Sequence, residues 1–387
     1  DWLGEAETDT ADRLESDLFR EDEGSEPQSG WTNTADGAPF GEKDLSAQSD
    51  TAFSYGYSQL SGDEQQLYRE ILNSLLSCQE ETELSVKDPE MVERVFRYVM
   101  ADHPEIFYAD GYEVTTYRLG TELRRITFTG TWTLESDEVL SRRAQLEAAA
   151  ALWLEGLPDG TDDFEKAKYI YDALILRTEY EQGSADSQTI CSVLLNQRSV
   201  CQGYAKTFQY LCQLAGIPAM LVTGDVNGEG HAWNIVFLDG DWYYIDPTWG
   251  DASYQREEGE ETPALTETVN YDYFCVTTQE IERTHSMDDN QLLPVCNAVQ
   301  DQYYRHEGLY LQSADKEKID EIFARAAQKG APMVCFQCAD DTVYQEVYRL
   351  LIEEQGIFAY LPESETTAAY LDSDRERTFY FWFTEVS

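Results

Sequence analysis

The stretch from Ser199 to Asp251 constrains this chain more than any other, because it joins one amphipathic helix to three strands with almost no slack. It begins Val200-Cys201-Gln202-Gly203-Tyr204-Ala205, and apolar side chains at Tyr204, Ala205, Phe208, Leu211, Cys212 and Ala215 form a stripe of helical period. Gly216 is placed to stop that helix and Pro218 forbids its continuation, so the spacing predicts a helix from about Gln202 to Ala215 with Cys201 at its N-terminus. There the unsatisfied backbone N–H groups and the positive end of the helix dipole favour a thiolate over a thiol.

Beyond the helix, Ala219 to Val226, His231 to Leu238 and Asp241 to Asp246 read as strands. They are separated by Asn227-Gly228-Glu229-Gly230 and by Asp239-Gly240, and Pro247 ends the series. A two-residue Asp-Gly loop pairs Leu238 with Asp241, and counting outward puts Trp233 opposite Asp246 with His231 as its diagonal neighbour. Side chains alternate along a strand, so His231, Trp233, Tyr244 and Asp246 are expected on one face. Diagonal neighbours lie about 7–8 Å apart at the backbone, within reach for an imidazole and a carboxylate. A carboxylate so placed fixes the tautomer of the imidazole, and the imidazole can take the proton of Cys201.

The motifs Val200-Cys201-Gln202-Gly203-Tyr204-Ala205, Gly216-Ile217-Pro218, Gly230-His231-Ala232-Trp233-Asn234 and Asp246-Pro247-Thr248-Trp249 closely resemble the bacterial transglutaminase-like domain, a papain-like Cys-His-Asp fold. The close likeness runs from the helix near Asp163 to Asp251. It implies an α+β fold in which a nucleophile helix packs on an antiparallel sheet, flanked by smaller α+β segments. It also implies that Cys201 is the nucleophile, His231 the general base and acid, and Asp246 the residue that orients His231. A thiol enzyme needs a second donor besides the N–H of Cys201 to hold the oxyanion. Gln188, in the segment leading to Cys201, is the candidate, with Tyr180 the alternative. Trp233 and Trp249 are the candidates for a substrate cleft, although packing in the core is the simpler reading of both.

The chain has 387 residues, 42% of them hydrophobic, enough for two or three packed domains. Its 27 basic and 75 acidic residues leave a formal charge of −48, which argues against nucleic acid and anionic membranes and favours cationic or amine-bearing substrates. No apolar run approaches the roughly 18 residues of a spanning helix. The eight cysteines lack the dense even spacing of a disulfide scaffold, and the isolated Cys335-Phe336-Gln337-Cys338 sits in a strand pattern, where it reads as structural. Neither a cofactor nor a metal is expected, and no stretch fits the EF-hand pattern of alternating acids, Gly and a terminal Glu.

Four segments are expected. Residues 1–52 form an acidic tether without apolar period, 53–158 an N-terminal α+β domain, 159–311 the catalytic domain, and 312–387 a small C-terminal α+β subdomain. In the first of the folded segments, Ser61 opens a capping box, Pro89 starts a second helix, Tyr112 to Leu119 pairs with Glu122 to Trp132 around Gly120, and Ser136 to Leu157 is helical. A helix capped near Asp162 carries Ala167, Ile170, Tyr171, Ala173, Leu174 and Leu176 towards the nucleophile helix. Asp251 to Thr268 reads as an acidic loop near the cleft and Tyr271 to Val276 as a closing strand. Helices are expected to end at Lys329 and at Gln355 with Gly356 as stop, and strands to run over 332–338 and 378–383. His103 reads as a turn residue, and His285 and His306 as surface residues.

The chemistry expected is attack of Cys201 on a carboxamide or peptide carbonyl, loss of ammonia or an amine, and resolution of the thioester by water or a second amine. Hydrolysis would make a peptidase or amidase and aminolysis a protein cross-linker; the reading leans to hydrolysis. The partner would be a protein or peptide, including amine-bearing or cell-wall material. In proteins with such flanking segments the acidic tail follows a signal sequence or lipid anchor, which implies an extracellular or cell-surface location. The alternative is a non-catalytic surface binding or scaffold module, against which the intact Cys, His and Asp argue.

Overall fold

The computed structural model describes residues 54–157, 160–251, 269–289, 291–331, 333–361 and 369–382. The expected tether over 1–52 and most of the acidic loop over 251–268 lie outside the described residues. By contacts the chain forms two compact units, Asp1–Gly240 with Ser286–Pro294, and Asp241–His285 with Val295–Ser387.

In the first unit, helices α1 (Gly62–Leu76) and α2 (Pro89–Asp102) precede strands β1 (Ala109–Leu119) and β2 (Glu122–Trp132) and helix α3 (Ser136–Leu154). Ser61 and Glu64 form the capping box of α1, and the Asp88 side chain accepts from the N–H of Glu90 at the start of α2, so both starts follow from local sequence. β1 and β2 pair antiparallel with Val114 opposite Phe128, and Thr82–Glu83 adds a third short strand to β2. Gly120 turns the hairpin at φ 64°.

Next come α4 (Asp163–Arg177), α5 (Ile190–Asn196), α6 (Cys201–Leu214), β3 (Ala219–Val226) and β4 (Glu229–Leu238). α6 begins at Cys201 itself and ends at Leu214, with Ala215 capping it and Gly216 at φ 82°. The hairpin between β3 and β4 is tighter than expected. Asn227 and Gly228, at φ 57° and 89°, make the whole turn, and Glu229 and Gly230 belong to the strand. Ala205 of α6 packs against Leu221 of β3 and Ala232 of β4, which seats the helix on the antiparallel pair. This is the expected α+β arrangement of a helix packed on an antiparallel sheet. The side chain of Gln209 donates to the carbonyls of Ala101 (2.7 Å) and Ala219 (3.2 Å), so the end of α2 is fastened to both α6 and β3. That long-range bond unites the N-terminal portion with the helix of Cys201, and no local pattern foretells it.

The second unit holds β5 (Asp241–Ile245), β6 (Tyr310–Leu311), α7 (Lys316–Lys329), β7 (Met333–Cys338), α8 (Asp341–Tyr348), β8 (Ala369–Ser373) and β9 (Thr378–Trp382). One sheet runs β6-β7-β9-β8, with β6 parallel to β7 and the rest antiparallel. Phe323, Phe336, Tyr344, Phe379 and Phe381 fill its core. Three expectations are corrected. Residues 271–276 form turns rather than a strand, with Cys275 at φ 58° and a lone bridge between Tyr244 and Val276. α8 ends at Tyr348 and passes into a π-helical turn over Arg349–Glu353. The left-handed residue that follows is Gln355, at φ 60°, not Gly356. Cys335 and Cys338 stand three residues apart on β7 and therefore face opposite sides of the strand.

Asp272 is a half-buried carboxyl of this unit ringed by hydroxyl donors. The Tyr304 hydroxyl donates to its Oδ1 (2.6 Å), the Thr378 hydroxyl to its Oδ2 (3.0 Å), and the Tyr380 hydroxyl to Oδ1 of the adjacent Asn270 (2.8 Å). Burial is the main cause that pushes the Asp272 carboxyl up to about 7, with the nearby Glu376 adding to it and the hydroxyl donors working against it. The folded chain thus holds this proton more tightly than the unfolded chain. The stability it confers is present below about pH 4 and is lost as pH rises to about 7. Between pH 5 and 8 the native protein should therefore lose about 2–3 kcal/mol relative to Asp272→Asn, measured by urea unfolding. Parallel curves for the two would contradict this.

Among the described residues, no helix is long and apolar enough to cross a membrane.

Candidate active site

Cys201 occupies the first position of a 14-residue helix and is partly exposed. The N-cap is Val200, whose side chain has no oxygen with which to satisfy a first-turn N–H. Five residues on, Lys206 is buried, and that burial pulls its ammonium down to about 8. His231, on β4, is 7% exposed and faces the Trp233 ring at 5.9 Å with the planes 22° apart. It follows Gly230 and precedes Ala232, the residue that touches Ala205 one helical turn in from Cys201. Packing of α6 on β4 thus places the thiol and the imidazole on neighbouring elements of one unit.

A cluster that the sequence reading passed over supports the start of α6. The Ser187 carbonyl accepts from the Ser199 hydroxyl (2.8 Å) and from the N–H of Val200 (3.5 Å), and the hydroxyls of Ser192 and Ser199 are 2.7 Å apart. Gly203 is the reason they fit. A Cβ there would lie 1.9 Å from Ser199 Oγ, 2.6 Å from the Ser187 carbonyl oxygen and 2.8 Å from Ser192 Oγ. The glycine of the Cys-Gln-Gly-Tyr motif therefore serves close packing rather than backbone freedom. Gly203→Ala should cost about 2 kcal/mol or more, because one neighbour is backbone and cannot swing away. Chemical unfolding within about 0.5 kcal/mol of the native chain would contradict that.

Gln188 follows directly on Ser187 and is partly buried, so its backbone is anchored to the residues that precede Cys201. Tyr180 pairs with Ser199 in a short parallel bridge, and its ring lies 6.2 Å from that of Tyr204. Both candidates thus border the helix start. Trp233 differs from expectation as a cleft residue: it is fully buried, and its ring is core rather than a wall open to substrate. Trp249 remains partly exposed, with its ring 4.9 Å from Tyr273.

In the second unit, Asp246 is fully buried. Its Oδ1 accepts from the N–H groups of Thr248 (2.8 Å) and Trp249 (3.1 Å), which explains the residues after it: Pro247 ends the strand and the next two amides fold back on the carboxylate. Its Oδ2 is 3.0 Å from Nε2 of His285. His285, expected on the surface, is instead 3% exposed, held between Asp246 and the Thr284 hydroxyl and covered by Trp249 and Tyr273. A lone histidine 39 residues beyond the aspartate gives no local sign of that partnership. The other two histidines behave as read. His103 caps the end of α2 beside Glu105, and His306 is exposed.

Residues 154–247 match the family model described as the transglutaminase-like superfamily, which covers cysteine peptidases and acyltransferases. The matched segment spans α4 to β5 and contains Cys201, His231 and Asp246, so this part of the chain is transglutaminase-like. Kyphoscoliosis peptidase from Homo sapiens is 33% identical over 111 residues, covering 24% of this chain and 17% of that protein. The Mus musculus protein of the same name is 32% identical with the same coverage. The chain thus spans about one sixth of the curated relatives it matches. Among solved structures, a TGase superposes over 40% of this chain and 47% of its own at 13% identity and a TM-score of 0.27. The periplasmic domain of TgpA from Pseudomonas aeruginosa does so over 36% and 58% at 19% identity and 0.21. These scores are too low to add to the family match.

Proposed function

We propose that this protein is a cysteine-dependent acyl-transfer enzyme acting on peptide or glutamine-type amide bonds through a thioester on Cys201. The observation that carries the reading is a partly exposed cysteine at the first position of a long helix seated on the strand that bears His231, within a transglutaminase-like segment. Cys201 Sγ attacks the amide carbon, and its proton passes to the imidazole of His231, which returns it to the departing ammonia or amine. Water or a second amine, deprotonated in turn by His231, then releases the acyl group and restores the thiol. Asp246 orients the imidazole by the register counted from Asp239-Gly240. Both turn residues have positive φ, 48° and 99°, as a two-residue type I′ turn requires.

The N–H of Cys201 and the side chain of Gln188 would hold the oxyanion. Gln188→Ala should lower kcat/KM by about 100-fold while leaving KM near native, since that bond strengthens only as the carbonyl oxygen gains charge. A change under about threefold would move the role to Tyr180 or elsewhere. We place the action on protein or peptide substrates outside the cytoplasm, on the resemblance of the acidic tail to anchored segments; fractionation of cells expressing the full-length protein tests the location. The activity is tested by asking whether glutamine-containing proteins release ammonia, incorporate a labelled amine or are cleaved. None of the three with the intact chain, together with Cys201 labelling by iodoacetamide near pH 6 no faster than an unfolded-peptide cysteine, would leave the reading without basis.

A further inference from the structure

We infer that His285 is a positioning residue for the proposed reaction, fixing the carboxylate of Asp246 from the side away from the backbone turn; this rests on the acyl-transfer reading above. The side chains of both residues are wholly buried. Asp246 Oδ1 is fixed by two amides of its own turn, which leaves rotation about the Cγ bond to be set at Oδ2. Nε2 of His285 lies 3.0 Å from that oxygen. A carboxylate whose two oxygens are held by donors from different parts of the chain has its plane determined, and the plane decides where an imidazole can donate to it.

Thr284 holds the other nitrogen of the His285 ring. Its Oγ1 lies 2.6 Å from Nδ1 of His285 and a longer 3.3 Å from the Ile281 carbonyl. A carboxylate oxygen only accepts, so the contact at Oδ2 requires a proton on Nε2 of His285, pointing at Asp246. The rings of Trp249 and Tyr273, 5.2 and 5.8 Å from that of His285, cover it. Trp249 also gives its N–H to Oδ1, so the same loop residue holds the carboxylate and shields the histidine that holds its other oxygen. Thr284, His285 and Asp246 thus form a relay behind the proposed triad, in which His285 acts only through Asp246 and touches no substrate.

The test compares His285→Phe, which keeps a flat ring but deletes the donor, with His285→Gln, whose side-chain N–H can occupy the Nε2 position. The expected result is a fall in kcat/KM of about 10–100-fold for H285F, the range for a hydrogen bond to a charged group, and recovery to within about fivefold of native for H285Q. Both are read alongside Cys201→Ala. An inactive C201A with a fully active H285F overturns the positioning role and leaves the acyl-transfer reading standing, whereas an active C201A overturns the reading itself. An H285Q as impaired as H285F, both folded by circular dichroism, also overturns the inference, since the donor would then not be what matters. Nitrogen NMR of the native protein labelled at its four histidines gives a readout independent of turnover. The signal lost in H285F should show a protonated Nε2, and a bare Nε2 would refute the geometry even if H285F were slow.

Discussion

Cys201→Ala is expected to lower kcat/KM for amide cleavage or amine incorporation by about 10^4- to 10^6-fold, the scale on which an enzyme loses its covalent nucleophile. Without the sulfur there is no thioester, and what remains is whatever the oxyanion donors and substrate binding supply. Stability should barely move. The side chain stands partly exposed at the helix start, and a substitution there belongs among those within about 0.5 kcal/mol. The measurement is ammonia release and labelled-amine incorporation with a glutamine-containing protein, together with peptide cleavage, in the native chain and the variant. Turnover within tenfold of native in C201A would show that the chemistry lies elsewhere. Which of the three products disappears also names the reaction, because hydrolysis and transamidation share the thioester and differ only in what resolves it.

Asp246→Asn is expected to cost about 10^4-fold in kcat/KM, for a different reason. The asparagine carbonyl can keep the bonds from the Thr248 and Trp249 amides at Oδ1, so the fold of the turn is preserved. The amide nitrogen then replaces Oδ2, the atom that His285 Nε2 approaches at 3.0 Å, and a donor meets a donor. An imidazole on the carboxylate would likewise be offered an N–H in place of an acceptor, turn to the wrong tautomer and be unable to take the thiol proton. Some stability is lost as well, about 1–3 kcal/mol for a buried donor left without its acceptor. The two effects separate by measuring kcat/KM at a temperature where urea unfolding shows the variant more than 95% folded by about 2 kcal/mol of residual stability. A folded D246N with activity within tenfold of native would remove Asp246 from the mechanism.

Much of the transglutaminase-like segment was legible because its signals are local. The apolar stripe with Gly216 and Pro218 behind it located α6 to within a residue, and the β-rich runs around Asn227-Gly228 and Asp239-Gly240 located β3, β4 and β5. Residues 271–276 misled because Tyr, Phe and Val are strand formers, yet their backbone turns at Cys275. The end of α8 misled because Gly356 is a plausible stop, while the chain has already widened into a π-helical turn and reversed at Gln355. For Trp233 the core is the simpler reading and a cleft the other, and burial decides for the core.

What the sequence determined by itself is the element carrying Cys201, the proposed nucleophile, and the alternation along the strands, since helix period, turn chemistry and strand parity are properties of neighbouring residues. Tertiary structure alone decided what surrounds these groups. That His285 meets Asp246, that Gln209 fastens α2 to α6, and that Gly203 makes room for Ser187, Ser192 and Ser199 all depend on residues brought together by close packing across long separations in the chain. Such contacts obey volume and hydrogen-bond satisfaction in three dimensions, and neither leaves a periodic trace in the order of the amino acids.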